Sequence, residues 1–163
     1  MTASGCVAAV LLDMQATKKM NDQFKPVSYS ELNSQQQESY NFHKIAACLA
    51  DYGFNCIPLN DDWLGADFIA SHINGKTFLK VQQKSRFVVD KKYCGKDLYI
   101  AFRHGDDIYL YPHDLMMAKL VEGGTAKGRL VDTASWKKGG FSWITHQADE
   151  GTGLRQELPV RAR

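Results

Sequence analysis

Gly65-Ala66-Asp67-Phe68-Ile69-Ala70-Ser71-His72-Ile73-Asn74-Gly75-Lys76-Thr77-Phe78-Leu79-Lys80-Val81-Gln82-Gln83-Lys84-Ser85-Arg86 is the stretch on which the fold turns. Two strand-like runs, Ala66 to Ile73 and Thr77 to Arg86, are joined by Asn74-Gly75. Asn-Gly between such runs is the strongest short-range hairpin signal, because both residues tolerate the positive φ of a tight turn. A two-residue turn sets Ile73 against Lys76, and each step outward on one strand matches a step outward on the other. Asp67 is therefore predicted to face Gln82, and Gly65 to face Lys84. Side chains alternate along a strand, so Asp67, Gln82 and Lys84 share one face while Phe68, Ala70, Leu79 and Val81 take the other. Directly opposed residues have Cβ atoms ~5 Å apart, close enough for an Asp and a Gln to share one ligand.

Upstream, Ser34-x-x-Gln37 resembles a capping box, with Asn33 or Ser34 as the cap of a helix over about 35–52. Phe42, Ile45, Ala46, Leu49 and Tyr52 recur at helical spacing, and Gly53 supplies a left-handed stop. Glu38 falls on this inward stripe, four residues before Phe42 and seven before Ile45. Such a carboxylate either complements the helix dipole, worth ~0.3 to 1 kcal/mol, or serves a site. A short strand over 54–59 and a turn at Asn60-Asp61-Asp62 lead to the hairpin. Beyond it, Asp97 to Phe102 and Ile108 to Tyr111 predict a second hairpin turning at Gly105-Asp106-Asp107, then a helix from about His113 to Glu122. The segment between Arg86 and Asp97 is too short for a long helix. These elements predict an α/β domain, a mixed β-sheet flanked by α-helices.

The 163 residues, 44% hydrophobic and 23% charged, fit one globular domain and exclude an eight-fold barrel or a two-lobed enzyme. Residues 1–29 read as an N-terminal extension or short helix, 30–144 as the domain and 145–163 as a flexible tail. The net charge of +2 points to no partner, but its distribution does. Eight basic residues from Lys76 to Arg103 oppose only Asp90 and Asp97, which makes this stretch a candidate phosphate surface, although strand edges also carry Lys to block aggregation. Cys6, Cys48, Cys56 and Cys94 form no CxxC pair and the five histidines lack zinc spacing, so a zinc centre or a Cys/His nucleophile is not expected and the thiols read as reduced, in a cytoplasmic protein. The apolar run Cys6 to Leu12 is too short to span a bilayer. Trp136, Phe141 and Trp143, around Lys137 and Lys138, read as a core edge rather than a nucleic-acid surface.

At Gly65-Ala66-Asp67-Phe68, the hairpin, and Leu79 to Arg86, preceded by the Glu-bearing helix, the chain resembles the PD-(D/E)xK, or restriction-endonuclease-like, nuclease superfamily. The likeness covers roughly residues 30–122, and the order helix, strand, Asp strand, x-x-Lys strand is similar to that of small Holliday-junction resolvases. Gln82 stands where the family has its second acid, a Gln-x-Lys variant that some branches carry. The resemblance implies a restriction-endonuclease-like core and metal-dependent hydrolysis of phosphodiesters in nucleic acid, DNA favoured over RNA. It implies a catalytic set of Glu38, Asp67, Gln82 and Lys84. Asp67, the Gln82 side-chain oxygen and the Gln83 backbone carbonyl would hold Mg²⁺ or Mn²⁺, with Glu38 binding directly or through water. Lys84 would orient or help deprotonate the attacking water and offset charge in the transition state. Lys80, on the same predicted face, competes for that role. Lys80, Arg86, Lys91, Lys92, Tyr93 and Lys96 would contact nucleic acid, Tyr93 by stacking on a base.

The alternative is a catalytically inactive nucleic-acid-binding or protein-interaction domain that keeps the nuclease fold, for which Gln82 is the motivating feature. A small-molecule phosphoesterase is disfavoured by the basic stretch. The expected partner is nucleic acid, with no membrane; a homodimer is common in the family the chain resembles, and no sequence feature identifies an interface for one.

Overall fold

The computed structural model of the chain describes residues 24–123 and 134–143. The expected extension up to residue 23 and the expected tail lie outside the described residues, as does Cys6. By its contacts the chain divides after Glu38. In the part before that point, a 3₁₀ turn at Tyr29–Glu31 is closed by Glu31, whose carboxylate accepts from the Ser28 N–H at 2.8 Å.

Helix α1 (Ser34–Ala50) is capped by Asn33: Asn33 Oδ1 accepts from Gln36 N and Gln36 Oε1 accepts from Asn33 N, both at 2.9 Å. The reciprocal box therefore lies one residue earlier than Ser34-x-x-Gln37. Gln37 instead donates to the Leu32 carbonyl at 3.0 Å. The helix stops as expected at Gly53, with φ +78°, whose N–H closes on the Ala50 carbonyl at 2.9 Å. The buried positions are Asn41, Ile45, Cys48 and Leu49, while Tyr52 is exposed.

The sheet is mixed, in the order β1-β2-β3-β5-β6, with β1 Phe54–Trp63, β2 Ala66–His72, β3 Phe78–Lys84, β5 Leu98–His104 and β6 Asp107–Pro112. Only the β3–β5 pair is parallel. Strand β4 (Phe87–Asp90) pairs with β7 (Gly140–Trp143) in a separate two-stranded sheet. A 3₁₀ turn, Lys91–Tyr93, fills the segment too short for a long helix. The second hairpin turns at Gly105-Asp106, with His104 opposite Asp107, and leads into α2 (His113–Gly123). A short helix, α3 (Ala134–Lys137), precedes β7. This is the α/β arrangement that the sequence predicted. Among the described residues, no helix is long and apolar enough to cross a membrane.

The β2–β3 register is the expected one, with Phe68 opposite Val81 and Ala70 opposite Leu79. The turn differs. His72 N donates to the Thr77 carbonyl at 2.9 Å, only Gly75 of the Asn-Gly pair has positive φ, and Asn74 Oδ1 accepts from Lys76 N and Thr77 N. The Asn side chain thus stands in for the strand partners of the turn. Opening a hairpin by one residue on each side leaves the register unchanged, so the faces stay as predicted.

The first turn of the sheet lies elsewhere than expected. Asn60-Asp61-Asp62 falls inside β1, where its register against β2 breaks between Pro58 and Trp63. The chain reverses at Leu64-Gly65, with φ +58° and +95°, between the paired Trp63 and Ala66. Left-handed backbone costs a non-Gly residue about 1 kcal/mol or more, which is why Leu gave no turn signal.

The two faces of the five-stranded sheet have separate cores. Ile45, Cys48 and Leu49 of α1 pack with Phe68, Ala70, Val81, Ala101, Ile108 and Leu110, and Phe42 meets Phe68 edge-on at 5.3 Å. On the other face Phe87, Val89, Met116 and Leu120 cover Leu98, Ile100, Phe102, Tyr109 and Tyr111. Tyr111 ties β4 down: its hydroxyl donates to the Val88 carbonyl at 2.6 Å and accepts from Val88 N at 3.2 Å.

Candidate functional site

Parallel pairing sets Lys80 beside Leu98, Gln82 beside Ile100 and Lys84 beside Phe102, so these three polar residues project from the face that β4 and α2 cover. Over β5 and β6 that face is apolar; over β2 and β3 it carries Asp67, Lys80, Gln82 and Lys84. The boundary between the halves is where a buried polar group needs partners. Gln82 is 8% exposed, and its amide Nε2 donates to Asp67 Oδ2 and to the Gln83 carbonyl at 3.3 Å. Asp67 Oδ2 also accepts from the Gln83 backbone N–H at 2.7 Å. The expected trio of Asp67, Gln82 and Gln83 is therefore brought together. A carboxylate oxygen and a backbone carbonyl converge on one nitrogen.

Lys84 lies on the same face with its Nζ 5.4 Å from the centre of the Tyr93 ring, a cation–π distance. Lys80, its competitor, is held elsewhere: its Nζ donates to the Lys96 carbonyl at 2.6 Å and pairs with Asp97 at 3.5 Å. Lys96 thus contributes its backbone to that anchor. Arg86, Lys91 and Lys92 are exposed, with Lys91 4.8 Å from the Trp136 ring and Lys92 3.8 Å from Asp90. The Lys92 ammonium is held above its ordinary pKa, first by its hydrogen bond to Tyr93 and then by the Tyr93 and Asp90 charges.

Two expectations are corrected. Tyr93 is not presented for base stacking: its ring is 3% exposed, set in the core with His113 edge-on at 5.7 Å, and works as a floor under Lys84 and Lys92. Glu38 is exposed, and burial along the α1 stripe begins one turn later at Asn41. The spacing found the stripe but not where burial starts, and a carboxylate left in water avoids the desolvation that an inward position demands.

Trp136 packs against the core, as its composition predicted. Phe141 and Trp143 fall on β7, and their side chains lie outside the described residues.

One further cluster has no spacing signature in the chain. Donor atoms of Cys94, His113 and Asp114 lie within 4.8 Å of one another. His113 is fully buried; its Nε2 accepts from Asp90 N at 3.1 Å, so the neutral ring carries its proton on Nδ1, 3.1 Å from Asp114 Oδ1. Both ring nitrogens are thereby satisfied without a metal, and the histidine fastens β4 to α2. Cys48, Cys56 and Cys94 are in no disulfide among the described residues. A 410 Å³ cleft lined by Lys44, Asp51, Arg103, Asp106 and Ile108 balances two cations against two carboxylates, and so offers a phosphate no net charge.

No protein-family model matches the chain, and no curated protein sequence matches it. Among solved structures it is similar to a bacterial homing endonuclease, I-Ssp6803I. The likeness has a TM-score of 0.42 at 12% identity and covers 77% of this chain and 91% of the other.

Proposed function

We propose that the protein is a metal-dependent nuclease with a restriction-endonuclease-like core, hydrolysing phosphodiester bonds of nucleic acid, most fittingly as a DNA endonuclease. The observation that carries this reading is the convergence of Asp67 Oδ2 and the Gln83 carbonyl on the Gln82 amide nitrogen. Two hard oxygens converging where an N–H donor now sits are the donor chemistry of Mg²⁺ or Mn²⁺. Exchanging the ends of the Gln82 amide presents its oxygen instead, so the three residues fit the cation. A divalent cation held by Asp67, Gln82 and Gln83 would supply Lewis acidity, polarising a phosphoryl oxygen and lowering the pKa of water.

The chain's own residues do the rest. Asp67 supplies the full negative charge, and the Gln83 carbonyl fixes the second donor on a rigid strand. Lys84, its ammonium over Tyr93, stands ready to orient the attacking water and to offset charge developing on the phosphate. Lys80 is withdrawn from that role by Lys96 and Asp97. Arg86, Lys91 and Lys92 contact phosphates, which positions a substrate without reading its sequence. Glu38 enters only through the resemblance, and its part is tested by Glu38→Ala.

A second reading is favoured by the same amide. The Gln82 NH₂ already satisfies both oxygens, as it would in a binding module that needs no cation. The two readings are separated by incubating the protein with supercoiled plasmid, single-stranded DNA, a four-way junction and structured RNA in Mg²⁺ or Mn²⁺. Asp67→Ala, Lys84→Ala and Lys80→Ala proteins are run beside it. Cutting abolished by Asp67→Ala and Lys84→Ala but kept by Lys80→Ala supports the nuclease; cutting that survives Asp67→Ala refutes this site. Binding with no cutting by wild type moves the reading to the binding module. Sedimentation of the same samples tests the homodimer.

A further inference from the structure

The β1–β2 turn displays two large apolar side chains to water. Trp63 is 67% exposed and Leu64 70% exposed, and neither belongs to the described cores. Leu64 sits at φ +58°, in a turn that Asn-Gly fills without strain. Fold stability alone would select against a leucine here, since an Asn gives the same turn on an easier backbone and exposes less apolar surface.

The base of the tip lies close to the site. A Cβ on Gly65, at φ +95°, would come within 3.3 Å of the Leu98 side chain and 3.4 Å of the Tyr93 ring, so the turn rests on the same buried tyrosine that underlies Lys84 and Lys92. Leu64 precedes Asp67 by three residues, which at strand rise is within ~10 Å. An apolar projection thus adjoins the Asp67 carboxylate and the two lysines over Tyr93. A lipid or a protein groove would call for a broader apolar surface, whereas lysines beside one exposed aromatic match a phosphate chain with bases attached.

We propose that Trp63 and Leu64 form a base-contacting wedge, stacking on an unpaired or opened base of the nucleic acid whose phosphate lies against Lys84 and Lys92. This rests on the nuclease reading and deepens it: the preferred substrate is single-stranded or locally opened. Every base has an apolar face, so the contact adds affinity without sequence preference.

The test is the affinity of the full chain for a fluorescent single-stranded oligonucleotide carrying 2-aminopurine, measured over a range of salt without divalent cation, for wild type, Trp63→Ala, Trp63→Phe, Leu64→Asn and Lys92→Ala. Trp63→Ala and Leu64→Asn are expected to weaken binding about 10-fold each with the salt slope unchanged, because no charge is removed. Trp63→Phe keeps most of the affinity, and Lys92→Ala lowers the salt slope. Leu64→Asn is expected to melt at a higher temperature than wild type while binding less well, opposite signs that a purely structural role does not produce. If Trp63→Ala and Leu64→Asn bind as wild type does, while wild type binds and cuts, the wedge is refuted and the nuclease stands. If the two substitutions convert a dimer to a monomer with unchanged oligonucleotide affinity, the tip's occupant is a second copy and the wedge is again refuted. Wild type that neither binds nor cuts overturns both.

Discussion

Gln82→Glu puts a second carboxylate against Asp67. In the wild type the Gln82 amide donates to Asp67 Oδ2 and to the Gln83 carbonyl; the substitution removes both donations and turns an attraction into repulsion. Two unit charges ~4 Å apart at an effective dielectric of ~20 repel by about 4 kcal/mol. Asp67 is only half-buried, so screening cuts this to roughly half. Adding about 1 kcal/mol for the lost hydrogen bonding, the variant should be about 3 kcal/mol less stable than wild type at pH 8 in EDTA.

The pH dependence has a definite sign. The crowded pair retains a proton in the fold to higher pH than the ~4.3 of a free Glu, so the folded pKa is raised. The penalty is absent below that unfolded value, grows as pH rises through it, and is complete above the raised pKa. Under the nuclease reading, Mg²⁺ replaces the missing proton and restores stability at pH 8, and the variant binds the cation more tightly than wild type. The assay is urea unfolding followed by tryptophan fluorescence at acid and alkaline pH, with EDTA and with Mg²⁺. A variant as stable as wild type at pH 8 in EDTA refutes the contact between the two side chains. A variant destabilised there but indifferent to Mg²⁺ keeps the contact and removes the cation.

Tyr111→Phe deletes the hydroxyl that donates to and accepts from Val88, leaving both backbone groups of a half-buried strand without that partner; a loss of about 1 to 3 kcal/mol in urea unfolding is expected. Burial beside Cys48 pushes the Cys56 thiol up to about 11. Its folded pKa therefore lies above the unfolded 9.0, so it leaves stability untouched below that value and erodes it as pH rises toward 11; wild type should lose melting temperature over this window faster than Cys56→Ser. At neutral pH the same thiol should react with a disulfide reagent more slowly than the thiols of the urea-unfolded chain. Gly65→Ala forces a Cβ into a turn at φ +95° against Tyr93 and Leu98, and should cost about 1 to 3 kcal/mol in the same unfolding assay.

What was legible in the sequence was whatever local chemistry dictates. The Asn74-Gly75 turn delivered the β2–β3 register even though the turn proved longer, because alternation constrains parity rather than loop length. That parity alone put Asp67 opposite Gln82 and on one face with Lys84, whereas the Gln83 carbonyl entered only through the family resemblance. The misses have physical causes. Leu64 in a left-handed conformation violates the preference on which turn reading relies, so β1 was ended four residues early. The lysines flanking Tyr93 suggest an available ring, yet it is buried; sequence shows which residues are neighbours in the chain and not which side chain the fold covers. The anchor that withdraws Lys80 uses a backbone carbonyl, which no sequence pattern displays. Cys94, His113 and Asp114 meet only because α2 returns to β4, a tertiary event with no spacing signature.

The glutamine is the residue at which fold and chemistry separate. Two carboxylates at these strand positions would need a proton or a cation to coexist, which ties folding to pH and to metal supply. An amide can face either way. With its nitrogen toward Asp67 it completes the hydrogen bonding of a site at the edge of the apolar core, and those bonds hold Asp67, Gln82 and Gln83 in register. With its oxygen inward it would, under the nuclease reading, offer a cation a ligand at no change in shape. Under the nuclease reading, a cation entering there would have to displace two donated hydrogen bonds and would gain no charge from Gln82 in return. The consequence is weaker cation affinity than an acidic residue gives, with Asp67 as the sole full charge among the three and the greatest loss expected when it is removed.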